Sequence, residues 1–232
     1  MSRVLVTMSG RHGDDLGHEV RERHLRSLRE AGLTPICVAG SASAPEVSVI
    51  LDVCDAAYLP GTDYVPSSLG EREEASRRGA AEAGLPWDPW KVRADLLVLE
   101  EAWQRRVPVL GICGGMQAMA VRAGGNLRPT VGTEIEKHRS VTGGAAVTLA
   151  ADSLAAATLG EVTETNSFHR QVVEQETPGL DVTGVAADGT VEAVEAPAPA
   201  HPFWLGLQWH PELLGDDRPF RALASAAAKR RR

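Results

Sequence analysis

The sequence predicts an α/β fold in which a mostly parallel central sheet is flanked by helices and continues into a C-terminal antiparallel subsheet. Strand and helix patterns alternate through the first half of the chain, an order that places a parallel sheet between two helical layers. In the last third, short segments of alternating apolar and polar residues replace that order, as is typical of antiparallel strands. The 232 residues, 43% of them hydrophobic, suffice for one core, so we expect a single domain over residues 1–232.

The first half of the chain opens with a strand and an amphipathic helix. The apolar run at residues 3–7 predicts the strand. Residues 17–31 predict the helix, and Gly32 follows at the position where a C-capping glycine is common. The apolar face of this helix comprises Val20, His24, Leu25, Leu28 and Ala31. Strand, helix and strand are predicted next, at residues 35–39, 45–54 and 56–59.

A long connection interrupts this rhythm at residues 63–90, which are rich in glycine, proline and charge. Ordered connections of this length often serve as lids over a functional site, so we predict a lid here. Trp87 and Trp90 would give the lid apolar contacts. Acidic side chains would attract a cationic group of a ligand, namely Glu71, Glu73 and Glu74. Apolar residues at helical spacing over 92–103 predict a helix, and a buried strand follows at 107–112.

The last third is predicted to form antiparallel strands and a closing helix. Alternating patterns predict three strands, at residues 145–149, 180–187 and 191–194. Asp188 and Gly189 form a typical hairpin turn between the last two. A further strand at 203–209 and a helix at 219–228 complete the fold. We interpret the basic residues 229–232 as a solvated chain end.

The end of the strand at 107–112 carries the strongest chemical signal. Cys113 follows it directly, and Gly114 and Gly115 lead into a helix. This order is the cysteine counterpart of the serine elbow in α/β-hydrolases. It sets the thiol at a helix N-terminus, where unpaired N–H groups favour a thiolate and can also bind the oxyanion of a tetrahedral intermediate. The alternative interpretation is a buried structural cysteine beside a tight turn.

A cysteine nucleophile needs a base, and His210 is the strongest candidate among seven histidines. It follows an apolar strand, and Glu212 stands two residues beyond it. Residues i and i+2 of an extended chain point the same way, so the carboxylate can lie beside the imidazole, fix its tautomer and stabilise its charged form. Histidines in polar loops or on a helix face are interpreted as solvated, namely His12, His18, His24, His138 and His201.

Composition excludes several classes of function. The formal charge of −7, from 24 basic and 31 acidic residues, argues against general affinity for nucleic acid or an anionic membrane. No apolar stretch approaches the roughly 20 residues of a spanning helix, and no signal peptide is recognised, so we expect a soluble cytoplasmic protein with a small-molecule partner. Cys37, Cys54 and Cys113 lack metal-type spacing and should be free thiols, so no metal site is expected. A homodimer is compatible with the sequence.

Two separated motifs together resemble the signature of class I glutamine amidotransferases and their hydrolase relatives. The first is Gly111-x-Cys113-x-Gly115-x-Gln117, and the second is His210-x-Glu212. Within this superfamily the chain is most similar to the γ-glutamyl-γ-aminobutyrate hydrolase family. Further similar segments are Leu59-Pro60-Gly61, Asn166-Ser167-Phe168-His169-Arg170-Gln171, and residues 188–195 leading into 205–212.

The resemblance implies a class I glutamine amidotransferase-like fold and a catalytic triad. Cys113 would be the nucleophile, His210 the general base and then acid, and Glu212 the orienting carboxylate. The backbone N–H groups of Gly61 and Gly114 would form the oxyanion hole. Gln117 would support the elbow at the substrate pocket. The glutamyl α-amino and α-carboxylate groups would meet Asn166, Ser167, Phe168 and His169, although a turn that only packs against the sheet is an alternative for the last three.

The sequence departs from the family pattern at three positions. Gly114 stands where family hydrolases commonly carry an arginine, and Thr62 stands where a second glycine often follows Gly61. Arg170 follows His169 where paired histidines are usual. None of these changes removes a triad member, so the reaction class is better supported than the substrate.

The activity implied by the resemblance is hydrolysis of a γ-glutamyl amide through a thioester on Cys113, with no metal or organic cofactor. One alternative is a glutaminase subunit that feeds ammonia to a synthase, although that family lacks the Asn-Ser-Phe-His segment and the long connection. Another is a non-enzymatic binding protein on the same fold. Such a protein would have no need of an intact triad.

Overall fold

The computed structural model describes residues 1–11, 17–130 and 146–231. Within these residues the strands, in chain order, are β1 (Ser2–Thr7), β2 (Ser9–Arg11), β3 (Gly17–Glu19), β4 (Leu33–Val38), β5 (Ala56–Leu59), β6 (Val109–Ile112), β7 (Leu127–Pro129), β8 (Ala146–Leu149), β9 (Val162–Glu164), β10 (Gln171–Val173), β11 (Asp181–Ala186), β12 (Val191–Glu195) and β13 (Trp204–Leu207). The helices are α1 (Glu22–Glu30), α2 (Ala44–Asp52), α3 (Glu73–Glu82), α4 (Pro89–Gln104), α5 (Gly114–Arg122), α6 (Leu154–Leu159), α7 (Pro211–Leu214) and α8 (Arg218–Arg230). None of these helices combines the length and the apolar composition that a membrane crossing requires.

A mixed sheet organises the described residues, with strand order β4-β1-β5-β6-β13-β12-β11-β8-β9. The strands from β4 to β13 run parallel, whereas those from β13 to β9 pair antiparallel. The predicted fold class, a mostly parallel sheet with a C-terminal antiparallel subsheet, is therefore confirmed. The hairpin predicted at Asp188 and Gly189 joins β11 to β12, with Gly189 at φ 86°.

Helices cover both faces of the parallel half, which explains why its strands read as continuous apolar runs. Along β5, Ala57 and Leu59 face one core cluster, together with side chains from α2, α4 and α5. Ala56 and Tyr58 face the other cluster, together with side chains from α1, α6 and α8. All four residues are completely buried.

The structure corrects the prediction at residues 17–31. Gly17–Glu19 pairs with β2 as a short hairpin, and Arg21 is extended (φ −68°, ψ 133°), so the helix begins only at Glu22. The helix does end as predicted, with Gly32 at φ 85° just beyond it.

Residues 63–90, predicted as a long connection that forms a lid, contain a helix that was not predicted. Helix α3 occupies Glu73–Glu82, and its buried residues are only Ser76 and Ala80. With so little apolar surface, the helix gives almost no periodic hydrophobic signal. Other elements that the sequence analysis missed have six residues or fewer, too few to establish a period, namely β2, β3, β7, β9, β10, α6 and α7.

Candidate active site

Cys113 occupies the turn between β6 and α5, so the predicted elbow is present. Its backbone has φ 53° and ψ −111°, a conformation that residues other than glycine rarely adopt. Neighbouring β13 holds this turn, because the Cys113 N–H donates a hydrogen bond to the Leu207 carbonyl at 2.7 Å. The thiol is largely buried at the N-terminus of α5 and lines a cavity.

His210 and Glu212 lie side by side beyond the end of β13. The distance from His210 Nδ1 to Glu212 Oε1 is 2.6 Å, and the Glu212 side chain is almost inaccessible to solvent. The pairing agrees with the sequence analysis, but its geometric reason differs. Pro211 begins the short helix α7 and His210 is its N-cap residue (φ −108°, ψ 87°), so the two side chains meet across a helix start and not along an extended strand.

Opposite charges stabilise one another in this cluster. Burial alone would lower the pKa of His210, but the charge and hydrogen bond of the Cys113 sulfur, together with those of Glu212, raise it to about 10. Burial favours a higher pKa for Glu212, yet the hydrogen bond and charge of His210 hold that pKa below its usual value. The arrangement therefore favours the protonated imidazolium form of His210 beside the ionised Glu212 carboxylate.

Asn166 fixes the backbone of His210. The Asn166 Nδ2 donates to the His210 carbonyl at 2.8 Å, and the His210 N–H donates to Asn166 Oδ1 at 2.8 Å. The side chain is completely buried and does not line the cavity. Asn166 was predicted to contact substrate, but the structure places it behind His210, where it positions the imidazole.

Gly61 and Gly114 surround the thiol. A Cβ atom on Gly61 would lie 3.2 Å from both Cys113 Cβ and His210 Cε1, which places Gly61 directly against both side chains. A Cβ atom on Gly114 would lie 2.5 Å from the Thr62 backbone nitrogen, so any larger residue there requires the Thr62 segment to move. Among the described residues, neither glycine N–H has a hydrogen-bond acceptor. Gly61 lines the cavity and Gly114 does not, so an oxyanion hole formed by these two N–H groups stays a prediction.

The cavity in front of Cys113 has a volume of about 820 Å³. Seven of the ten residues to which the family resemblance gives a role in the site line it, namely Gly61, Cys113, Gln117, Phe168, His169, His210 and Glu212. The Phe168 ring, 39% exposed, stands edge-on to His210 with a centroid distance of 6.0 Å. Ser167 is buried behind the cavity, and its Oγ lies 3.0 Å from His169 Nε2.

His24 is part of this site, although it was predicted to be solvated. It is 5% exposed and lines the cavity, and its Nδ1 lies 2.7 Å from Tyr58 Oη and 3.7 Å from Glu212 Oε1. Burial lowers the pKa of His24 to about 4, so its ring is neutral near pH 7. Its position on the apolar face of the predicted helix was a signal that it is buried.

The other histidines have different outcomes. His201 was also predicted to be solvated, but it is 8% exposed and stacks on Trp103 with a centroid distance of 5.5 Å. His18 is partly accessible, beside Ser41. His12 and His138 lie outside the described residues.

Among the described residues of the 63–90 connection, only its two ends reach the cavity, and Asp63 is the contact at its start. Leu85, Pro86, Trp87 and Asp88 line the cavity at its other end. Glu71 instead accepts hydrogen bonds from Ser67 and Ser76, and Glu73 and Glu74 are exposed on α3, so none of the three acidic residues expected to face a ligand does so. The second tryptophan, Trp90, packs against Gly10 and Gly40.

Comparison with known proteins identifies a matching family model and several relatives. Residues 6–212 match the model of the Peptidase C26 family. The γ-glutamyl-γ-aminobutyrate hydrolase PuuD of Escherichia coli is 30% identical over 207 residues, with 83% of this chain and 78% of the relative covered. A provisionally named glutamine amidotransferase of Mycobacterium tuberculosis is 30% identical over 213 residues, with 88% of this chain covered. The chain spans 66% of the length of that relative.

Solved structures share the fold. The glutaminase domain of Trypanosoma brucei CTPS superposes with a TM-score of 0.70 at 17% identity, over 99% of this chain and 94% of that domain. A Thermoplasma acidophilum protein provisionally assigned to GMP synthase gives a TM-score of 0.68 at 19% identity, over 100% of this chain and 96% of that protein. At these identities the likeness concerns the fold alone.

Proposed function

The chain belongs to the Peptidase C26 family, and on that premise we propose that it hydrolyses γ-glutamyl amides with a Cys113–His210–Glu212 triad. The observation that carries the proposal is a thiol at a strained elbow, beside an imidazole that a buried carboxylate orients. These groups meet at one wall of a cavity large enough for a small molecule. The backbone N–H groups of Gly61 and Gly114, for which the described residues offer no hydrogen-bond acceptor, would form the oxyanion hole.

The first half of the reaction forms a thioester. The Cys113 thiolate attacks the γ-carbonyl carbon of the substrate, and the carbonyl oxygen takes up negative charge, which the N–H groups of Gly61 and Gly114 stabilise. His210, as imidazolium, donates its proton to the amide nitrogen while the carbon–nitrogen bond breaks. A free amine leaves, and the γ-glutamyl group stays bound to sulfur.

The second half consumes water. Neutral His210 removes a proton from a water molecule, whose oxygen attacks the thioester carbonyl. The carbon–sulfur bond breaks, glutamate leaves, and the thiolate–imidazolium pair is restored. Glu212 stabilises the imidazolium in both halves, because its carboxylate lies 2.6 Å from Nδ1.

The relative named as a γ-glutamyl-γ-aminobutyrate hydrolase supports a γ-glutamyl amide as the substrate. A cationic amine half was expected from Glu71, Glu73 and Glu74, but these three residues lie away from the cavity. The rim instead carries Arg21 and Arg23 as well as Asp63, all exposed. The amine half would therefore meet charges of both signs.

A glutaminase that supplies ammonia to a synthase is the second candidate, because a relative bears an amidotransferase name and the fold is shared with a glutaminase domain. The two activities use the same chemistry and differ in the leaving group. A free-standing hydrolase must accept a substituted amine, whereas a glutaminase releases ammonia.

Release of free glutamate from a substrate panel tests the proposal. The pure protein is incubated with γ-glutamyl-γ-aminobutyrate, γ-glutamyl anilide and glutamine, with Cys113→Ser as the matched inactive control. We expect the substituted amides to be cleaved faster than glutamine, without a partner protein. Preference for glutamine, or activity only with a synthase, would establish the second candidate. Equal activity of Cys113→Ser would exclude the proposed nucleophile.

A further inference from the structure

A hydrogen-bonded series of three buried glutamines connects the segment after β5 to the sulfur of Cys113, and the backbone carbonyl of Gln171 makes the link between the first two. The series consists of Gln171, Gln117 and Gln208, which are 4%, 2% and 0% exposed. At one end, the Gln171 amide bonds both backbone groups of Val65, accepting from its N–H at 2.9 Å and donating to its carbonyl at 2.7 Å. At the other end, Gln208 Nε2 lies 3.7 Å from Cys113 Sγ.

A backbone carbonyl determines which amide atom, oxygen or nitrogen, each glutamine in this series presents to its neighbour. The Gln171 carbonyl oxygen can only accept, so Gln117 must present its NH₂ group to it, at 2.9 Å. The same NH₂ group donates to Gln208 Oε1 at 3.2 Å. With its oxygen directed at Gln117, Gln208 has only its NH₂ group left for the sulfur. The opposite orientation would place two NH₂ groups against each other inside the protein.

Gln208 is also held at its backbone. It follows β13, and its N–H donates to the Glu192 carbonyl on β12 at 2.8 Å. Unlike Gln117, Gln208 does not line the cavity, so the sulfur is its point of contact with the reacting groups.

We propose that Gln208 is a further catalytic residue, which donates a hydrogen bond to the Cys113 thiolate, and that Gln117 positions it. The inference rests on the proposed role of Cys113 as the nucleophile. A thiolate accepts hydrogen bonds better than a thiol, so this donor favours the charged form. In the second half of the reaction the same donor assists departure of the sulfur as a thiolate.

The pH dependence of Cys113 alkylation tests this inference. Iodoacetamide labelling of Cys113 is followed by mass mapping from pH 5 to 10 in the wild type and in Gln208→Met, which keeps the size of the side chain and removes the donor. The midpoint of the alkylation curve is the pH at which Cys113 is labelled at half its maximal rate. A hydrogen bond to a charged group has a net effect that corresponds to a shift of about one pH unit, so this midpoint should rise by roughly that amount in Gln208→Met. Gln117→Met leaves Gln208 intact but frees its amide to rotate, and a smaller rise is expected.

Gln171→Met serves as the matched control. It removes the side-chain bonds to Val65 but keeps the backbone carbonyl that orients Gln117, so the alkylation midpoint should stay at the wild-type value. Wild-type midpoints in folded Gln208→Met and Gln117→Met would overturn the inference, as would an equal rise in Gln171→Met. If Gln208→Met fails to fold, Gln117→Met decides. Failure of the wild type to release glutamate would refute the proposed function, while the alkylation midpoints would still report on Gln208.

Discussion

At the scale of single residues, the candidate site depends on positions where the surrounding structure holds a backbone conformation that the residue does not prefer. The positive φ of Cys113 costs on the order of 1–3 kcal/mol, and the bond to Leu207 and the packing of α5 hold it. Gly114 is required by the position of Thr62, because Thr62 fills the space that a Cβ at residue 114 would occupy. An arginine at residue 114, common in the family, is thus incompatible with this placement of Thr62.

Cys113 should be the most reactive thiol near neutral pH. Burial raises the pKa of Cys54 to about 11, and desolvation raises that of Cys37, so both remain protonated. We expect a limiting amount of iodoacetamide at pH 7 to label Cys113 first, as measured by mass mapping. Preferential labelling of exposed Cys37 would contradict the assignment of Cys113 as the activated thiol.

Glu212→Gln should preserve the fold and slow the reaction. The substitution keeps the shape and removes the charge that stabilises the His210 imidazolium, so we expect kcat to fall by a factor on the order of 10⁴. Steady-state kinetics and thermal unfolding of the same preparation measure the two effects separately. A variant that unfolds, but retains wild-type kcat per folded molecule, would show that Glu212 is only structural.

At the scale of elements, the 63–90 connection combines an anchored part and a cavity-lining part. Helix α3 packs against Tyr64, and Arg170 donates to the Ala83 carbonyl at 2.8 Å, which ties the helix end to the body. Trp87 stands edge-on to Tyr64 with a centroid distance of 6.0 Å and also lines the cavity. Contact with substrate is therefore expected from residues 85–88 and not from α3.

Trp87→Ala should weaken discrimination among γ-glutamyl amides. Loss of the indole removes apolar surface beside the amine half, so kcat/KM for bulky amines should fall by about 10-fold or more. Hydrolysis of an amide with a small amine should change little. Leu69→Ala is the matched control, because Leu69 belongs to the same connection, is 60% exposed and lies away from the cavity. An equal loss for small and bulky amines would show that Trp87 only anchors the connection.

At the scale of the whole molecule, the parallel half of the sheet assembles the site. Strands β1, β5, β6 and β13 are adjacent and parallel, so their carboxyl ends meet at one edge. Gly61 follows β5, Cys113 follows β6, and His210 follows β13. Ligands bind at this edge in open α/β sheets, and the cavity lies there.

Stability should fall in mild acid. Burial lowers the pKa of both His24 and His201 to about 4, below the 6.5 of an unfolded histidine. Between pH 6.5 and 4 the unfolded chain therefore binds more protons, so the stabilising effect of a neutral ring is complete above pH 6.5 and is lost as the pH falls. Protonation of His24 lowers the free energy of unfolding by about 3 kcal/mol at most.

Urea denaturation of the wild type and of His24→Gln at pH 7 and pH 4.5 measures this effect. The variant should lose less unfolding free energy between the two pH values, because its residue 24 does not titrate. The same loss in both proteins would show that protonation of His24 does not limit stability in acid.

The sequence by itself determined the class of fold, the elbow at Cys113 and the pairing of His210 with Glu212, because strand periods, flanking glycines and short spacings are local properties. It could not reveal α3, whose buried side chains are few and small. Nor could it distinguish the role of Asn166, which hydrogen-bonds the His210 backbone, from that of Phe168, which faces the cavity, since both lie in one short segment. The place of His24 beside Glu212, and the glutamine series that ends at the thiol, were decided only by tertiary structure. They join residues from strands and helices far apart in the chain, and only the packing of those elements across the sheet brings these side chains next to one another.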